Sequence, residues 1–139
     1  MIDKIVIETE NIGKKVSCLG SLVNKHIWAV IEYRQRLVVE GVEFDENRIR
    51  EYVKKIIGNL IGNLEKEIDF LADKVSEEIS KRNAWISEYE SSGGFLKEDF
   101  ERALSKLYEE KEILEERSRY LERLRYSIES IKDRYQMFF

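Results

Sequence analysis

The chain has no proline among its 139 residues, and this absence constrains its fold more than any other feature of the sequence. Proline removes a backbone donor and breaks helix interiors, so a chain without it is free to form unusually long helices. The strongest break is Ser91-Ser92-Gly93-Gly94, and Gly41 stands where a glycine commonly ends a helix. We therefore expect a few long helices joined by short turns.

The first segment predicts a helix over about residues 3–40. Its apolar and seam residues recur at steps of three and four, the spacing of a coiled-coil seam. They are Ile5, Ile12, Val16, Leu19, Val23, His26, Val30, Tyr33 and Leu37. The β-branched run Ile5-Val6-Ile7 favours a strand, so a short strand over residues 4–9 is the alternative.

The second segment predicts a helix over about residues 46–90, with Asp45 as N-cap and Phe44 packing on Ile49 as a hydrophobic staple. Its apolar positions follow an eleven-residue repeat, about 3.67 residues per turn. The three rows are Val53, Leu64, Val75 and Ile86; Ile57, Ile68 and Ile79; and Leu60, Leu71 and Arg82.

The third segment predicts a helix over about residues 96–137 and has the strongest periodicity. Its seam comprises Phe100, Ala103, Leu107, Glu110, Leu114, Arg117, Leu121, Leu124, Ile128, Ile131, Tyr135 and Phe138. The polar members of these seams, such as Arg82 and Glu110, are of the kind that fixes register or oligomeric state.

Three segments of similar length predict an all-α single domain over residues 1–139, an antiparallel bundle of three long helices with coiled-coil-like packing. From the turn positions, facing residue numbers add to about 86 on the first two helices and to about 185 on the last two. In that register Gly58 faces Trp28, and the glycine makes room for the indole. A hinge within residues 58–63 is the alternative.

No grouping of residues points to catalysis, a metal or a cofactor. His26 is the only histidine and Cys18 the only cysteine, which leaves no histidine–cysteine metal site, no internal disulfide and no recognisable triad. We interpret His26 as a half-buried, hydrogen-bonded seam residue. We expect a protein that is not an enzyme and that binds no metal, cofactor or small molecule.

The composition points away from a membrane protein. Residues 16–39 are apolar but carry charged and polar interruptions, and the acids Asp3, Glu8 and Glu10 do not fit a charged-then-apolar leader, so we expect neither a membrane span nor a signal peptide. We expect a cytoplasmic protein, or a virion component if the source is viral. The excess of charged over uncharged polar residues is similar to that of hyperthermophile proteins, and in composition alone the chain resembles helical proteins of heat-loving archaea and their viruses.

An apolar zone is wider than a bundle seam needs, which predicts either a thick internal core at the waist of the bundle or a face that pairs with another copy. It covers residues 22–31 of the first helix and 56–64 of the second, and terminal aromatic residues extend the argument. The candidate contact residues are Trp28, Ile31, Ile56, Ile61, Phe138 and Phe139. The leading hypothesis is a structural or adaptor protein that works through contacts with another protein or with itself.

The third helix supports a second hypothesis, a regulatory protein of a nucleic-acid transaction. Arginine alternates with tyrosine in a way that suits phosphates and bases: the residues are Arg117, Arg119, Tyr120, Arg123, Arg125 and Tyr126. Alternatively, the acidic residues within 95–116 would block a basic groove of a nucleic-acid enzyme. Ion pairing one turn apart, such as Glu115 with Arg119, is the simpler explanation of the arginines.

Overall fold

The computed structural model contains three α-helices: α1 spans Ile2–Glu40, α2 spans Glu46–Ser92 and α3 spans Lys97–Phe138. It describes residues 2–43, 45–92 and 97–138, and only the backbone of residues 92, 97, 98, 137 and 138. All three pairs of helices are in contact, so the predicted all-α three-helix bundle is confirmed. The predicted helix ends lie within two residues of the observed ones.

The strand alternative for residues 4–9 is wrong, because these residues form the first turns of α1. Ile5 is only 1% exposed and Thr9 is fully buried, so burial on one helical face outweighs the β preference of the branched side chains. The Thr9 hydroxyl donates a hydrogen bond to the Val6 carbonyl at 2.8 Å, which satisfies the buried polar group within the helix.

The C-terminus of α1 is capped by Gly41, the glycine that the sequence predicts to end this helix. Gly41 has a φ of 70°. Its N–H donates to the Val38 carbonyl at 3.2 Å, and the Val42 N–H donates to the Leu37 carbonyl at 3.0 Å. This pair of bonds is a Schellman motif, in which a left-handed glycine satisfies the last carbonyls of a helix.

At the start of α2, Asp45 Oδ1 accepts hydrogen bonds from the N–H groups of Asn47 and Arg48 at 3.0 and 3.4 Å. Asp45 is therefore the predicted N-cap. The proposed staple residue Phe44 lies outside the described residues.

The chain forms two compact units, each built from a segment of all three helices. Unit 1 comprises Met1–Asn11 and Ile68–Arg123, and unit 2 comprises Ile12–Glu67 and Leu124–Phe139. The single domain over residues 1–139 stays a prediction.

Unit 1 has an apolar core of almost fully buried side chains: Ile5, Ile68, Leu71, Val75, Ile86, Leu114 and Leu121. Arg82 of α2 lies beside Glu110 of α3, with 3.0 Å between Nε and Oε2. Further along α2, Glu90 accepts a hydrogen bond from the hydroxyl of Tyr108, which precedes Glu110 in the sequence. In this unit α2 and α3 therefore run antiparallel.

Unit 2 has a larger core, aliphatic except for Tyr135: Ile12, Val16, Leu19, Val23, Ile27, Leu37, Val53, Ile57, Ile61, Leu64, Leu124, Ile128, Ile131 and Tyr135. Ion pairs join Lys15 to Glu67 at 3.2 Å and Arg34 to Glu46 at 3.7 Å. In this unit α1 and α2 therefore run antiparallel. The predicted register placed Lys15 opposite Leu71, one helical turn beyond its partner.

The predicted register of α2 against α3 is wrong by about two helical turns, which is more than the one-turn error between α1 and α2. A sum of 185 placed Arg82 opposite Ala103, whereas its partner Glu110 lies about two turns further along α3. Since α2 continues to Ser92 and α3 begins at Lys97, the middle of the connection lies later than predicted. Antiparallel pairing counts from the turn along both helices, so this shift of about two residues accounts for about four of the seven residues of the difference.

The predicted packing of Trp28 against Gly58 is also wrong. Trp28 is 65% exposed, and a Cβ added to Gly58 would meet no heavy atom within 4 Å. The backbone is α-helical throughout residues 58–63. Neither glycine of this stretch is required by packing within the described part of the chain.

Candidate protein interface

An exposed groove lies between α1 and α2 of unit 2. It has a volume of about 650 Å³ and is lined by His26, Ala29, Val30, Tyr33, Asp45, Arg48, Ile49, Tyr52 and Val53. We call it the tyrosine groove, because Tyr33 and Tyr52 contribute its largest exposed side chains, at 53% and 67% exposure. Tyrosine offers an apolar ring with a polar tip, a combination that is enriched in protein interfaces.

A second groove lies between the same two helices, within the same unit. It has a volume of about 420 Å³ and is lined by Lys14, Lys15, Cys18, Leu19, Leu22, Leu60, Asn63 and Leu64. We call it the leucine groove. Leu22, which is 39% exposed, lies one helical turn before His26, so the two grooves adjoin along α1.

The helical spacing of α1 explains why the grooves are apolar. The core positions Val16, Leu19, Val23 and Ile27 occupy one side of the helix. Leu22, His26, Ala29 and Tyr33 follow at the same three-and-four spacing but are rotated toward the solvent-exposed seam with α2. The apolar arc of α1 is therefore wider than its neighbouring helices cover.

The hydrogen bonding of His26 occurs within α1. Its Nδ1 lies 3.0 Å from the Leu22 carbonyl oxygen, to which it can donate a hydrogen bond, and the residue is half-buried at the groove. The polar ring nitrogen Nδ1 is thus paired with the backbone of α1, and His26 contributes to the lining of the groove.

The residues predicted for self-association differ in how exposed they are to solvent. Trp28 is exposed, and Ile31 and Ile56 are half-buried. Ile61 is 3% exposed and belongs to the core of unit 2, so its assignment to a surface contact is wrong. The reason is that Ile61 lies one turn from both Ile57 and Leu64 on the buried side of α2.

Phe138 and Phe139 are the remaining residues predicted for self-association. The side chain of Phe138 and the whole of Phe139 lie outside the described residues.

Sequence reasoning missed the residues that form the tyrosine groove. It placed His26 and Tyr33 in the buried seam of α1 and did not single out Tyr52. A usable signal existed, because Tyr52 stands between the apolar positions Ile49 and Val53. An apolar arc that broadens next to a buried row marks a partly exposed surface.

The arginine–tyrosine stretch of α3 includes residues of both units. Arg117 and Arg123, both in unit 1, place their guanidinium carbons 5.7 and 5.8 Å from the ring centroid of Tyr120. Tyr120 is half-buried, whereas Arg119 is exposed. Two guanidinium groups are therefore already within cation–π distance of this ring.

The other two members of that stretch belong to unit 2. Arg125 is half-buried and Tyr126 is 70% exposed. Glu115, the predicted partner of Arg119, lies 3.9 Å from Lys111.

Unit 1 contains a cluster of buried, charged side chains. Arg82 is 6% exposed; it pairs with the carboxylates of Glu78 and Glu110, and Nη1 also donates to the Glu78 carbonyl at 3.1 Å. The hydrogen bond from Arg82 holds the pKa of Glu78 below its ordinary value, and Lys81 at 3.2 Å lowers it further. Sequence analysis placed Arg82 and Glu110 in seams but missed Glu78, although Glu78 lies one turn before Arg82.

An open groove of about 630 Å³ lies in the same unit. It is lined by Trp85, Glu88, Tyr89, Ala103, Lys106, Leu107 and Glu110. Trp85 faces the guanidinium of Arg82 at 5.6 Å, and the Tyr89 ring packs on Phe100 with 5.8 Å between centroids. Its aromatic residues are thus engaged within the chain.

Across 2–43, 45–92 and 97–138, no group of three or more histidine, cysteine or acidic side chains converges as metal ligands would. Within those same ranges no helix combines the length and apolar character of a membrane span.

Comparisons of the chain with protein-family models, with characterised proteins and with solved structures gave no match.

Proposed function

We propose that this chain is a non-enzymatic structural or adaptor protein that self-associates through protein–protein contacts, with the α1–α2 seam of unit 2 as the contact surface. The observation that carries the proposal is the pair of adjoining apolar grooves in that seam. An exposed apolar surface of this kind on a charge-rich protein is typical of an interaction site.

The energetics favour an occupied seam. Fully burying a leucine-sized side chain contributes about 1.5–3 kcal/mol, and tyrosine rings bury about 150–250 Å² each. Tyr33, Tyr52 and Leu22 together therefore supply enough apolar area for a hot spot at the centre of an interface. The flanking lysines and arginines suit the polar rim of such a contact.

The experiment is a measurement of solution mass by sedimentation equilibrium across a wide concentration range. The native chain should exceed its monomer mass of 16.6 kDa, and the double variant Tyr33→Ser/Tyr52→Ser should shift toward the monomer. Tyr126→Ser is the matched control, since Tyr126 is equally exposed on α3 of the same unit. A native chain that stays monomeric, or an equal response of variant and control, contradicts the proposal.

A second candidate is a regulatory protein of a nucleic-acid transaction. The exposed Arg119 beside the stacked Arg117, Tyr120 and Arg123 is the observation that favours it. Binding of labelled DNA and RNA should then weaken steeply with salt, because phosphate contacts release counterions. Replacing Arg117, Arg119, Arg123 and Arg125 with glutamine should abolish binding, and unchanged binding would exclude this surface.

A further inference from the structure

The charges of the chain are divided unequally between its two units. Unit 1 contains 11 basic and 18 acidic residues, a formal net charge of −7, whereas unit 2 contains 13 basic and 10 acidic residues, a net charge of +3. The whole-chain value of −4 conceals this division. Two copies therefore attract one another when unit 1 of one approaches unit 2 of the other, and repel when the two acidic units meet.

Basic residues lie around the tyrosine groove, so the net positive charge of unit 2 extends to the proposed contact surface. The charged lining residues of this groove are Arg48 and Asp45, and the Asp45 carboxylate is already engaged as the N-cap of α2. Lys55 and Arg36 are exposed and lie one helical turn beyond Tyr52 and Tyr33, respectively. An apolar centre with a basic rim selects an occupant with an apolar anchor and acidic flanks.

Unit 1 presents such an anchor on α2. Phe70 is 66% exposed, and Asp73 and Glu77 follow it at three and seven residues, so all three share one helical face and both acids are exposed. The one basic residue in this stretch, Lys74, lies 3.8 Å from Glu8 and 5.7 Å from the Phe70 ring. The charge of Lys74 is thus offset within the chain, and the face stays acidic.

Other exposed aromatic residues of unit 1 are less suitable anchors. Trp85, Tyr89 and Tyr108 are 43%, 40% and 46% exposed. Trp85 faces Arg82, Tyr89 packs on Phe100, and the Tyr108 hydroxyl is bonded to Glu90. Phe70 also has a cation near its ring, Lys74 at 5.7 Å, but it is the most exposed of the four aromatic residues and has acids on its own face.

We infer that a second copy of this chain occupies the tyrosine groove, inserting Phe70 and setting Asp73 and Glu77 against the rim residues Arg48 and Lys55. This inference rests on the proposed function and names the occupant of the same site. A helix laid into the groove between two antiparallel helices is a common mode of recognition and adds a fourth helix to the local packing.

Charge-swap complementation tests the pairing. Arg48→Glu/Lys55→Glu changes the rim, and Asp73→Lys/Glu77→Lys changes the anchor face. Each double variant alone should self-associate about tenfold or more weakly, because like charges then meet across the contact. An equimolar mixture of the two should associate again, since each supplies the charge the other now requires. A mixture no stronger than either variant alone would overturn the pairing.

Phe70→Ala tests the anchor independently of charge. We expect self-association to weaken about tenfold or more, as for truncation of a buried hot-spot aromatic. Ile7→Ala is the control, since Ile7 is 57% exposed in the same unit and should change association by less than about twofold. Thermal unfolding of every variant establishes that it is folded.

The outcomes separate this inference from the proposed function. If the Tyr33/Tyr52 variant dissociates the protein but Phe70→Ala does not, the groove binds a different surface and only the inference fails. If the Tyr33/Tyr52 variant does not dissociate it, the proposed contact surface itself fails.

Discussion

Gly58 and Gly62 lie inside a long helix with open space where a side chain would be. Glycine in a helix interior costs about 0.5–1 kcal/mol relative to alanine, because it loses more backbone freedom on folding. Gly41 is different, since its φ of 70° is strained for any residue with a Cβ. A glycine-to-alanine substitution should therefore stabilise the fold at Gly58 and destabilise it at Gly41.

We predict that Gly58→Ala raises the free energy of unfolding by about 0.5–1 kcal/mol. Gly41→Ala should lower it by about 1 kcal/mol, because alanine resists the left-handed conformation. Urea titration followed by circular dichroism measures both. Destabilisation by Gly58→Ala would mean that this glycine is required by a contact between chains.

The ion pair of Glu78 with Arg82 makes part of the stability dependent on pH. The folded-state pKa of Glu78 lies below its ordinary value of 4.5, so the pair stabilises the fold above about pH 4.5. Its contribution is lost as the pH falls through the lowered pKa.

We predict that Glu78→Gln lowers the free energy of unfolding by about 1–3 kcal/mol at pH 7, the cost of losing a buried charge-assisted hydrogen bond. The difference from the native chain should shrink at acid pH, where Glu78 is itself protonated. Glu112→Gln, an exposed substitution in the same unit, is the control. An effect of Glu78→Gln that does not change with pH would contradict the role of the charge.

At the scale of the helices, sequence periodicity predicted the boundaries well because apolar spacing and the caps at Gly41 and Asp45 are local signals. Sequence periodicity predicted less accurately which face of a helix each residue occupies. After Val23 a three-residue step leads to His26 and a four-residue step to Ile27; the structure buries Ile27. Both steps fit a helical seam, so local spacing alone does not choose between them.

The candidate interface was predictable only in outline for the same reason. The broad apolar zone indicated a surface between α1 and α2, but the sequence assigned buried Ile61 to it and omitted Tyr52. Which members of a wide arc are covered depends on the register of the neighbouring helix. That register is set by turn geometry and by contacts between residues far apart in sequence, such as the ion pair of Lys15 with Glu67.

The first turns of α1 allow a direct test of helix against strand. In a helix, Ile5 and Ile7 point to different sides, and they are 1% and 57% exposed. In a strand, residues two apart share a face. We predict that Ile5→Ala costs about 2–5 kcal/mol and Ile7→Ala within about 0.5 kcal/mol, measured by thermal or urea unfolding. Equal costs would contradict the helical assignment.

At the scale of the whole molecule, both units depend on all three helices. Unit 1 needs residues up to Arg123 and unit 2 needs α3 from Leu124 onward. We predict that a fragment of residues 1–92 shows no cooperative thermal transition, because Leu114 and Ile128, which are 0% and 1% exposed in the full chain, are missing. Adding a peptide of residues 97–138 should restore the transition, and a cooperative fragment would contradict this interdependence.

The same division has a consequence for how the protein is made. Each unit joins stretches that are distant in the chain, and the first eleven residues belong with residues 68–123. At ordinary synthesis rates the N-terminal turns wait roughly ten seconds for the last of their partners to leave the ribosome. During that interval their apolar face lacks the residues of α3 that belong to the same unit, so it stays exposed until the third helix has emerged.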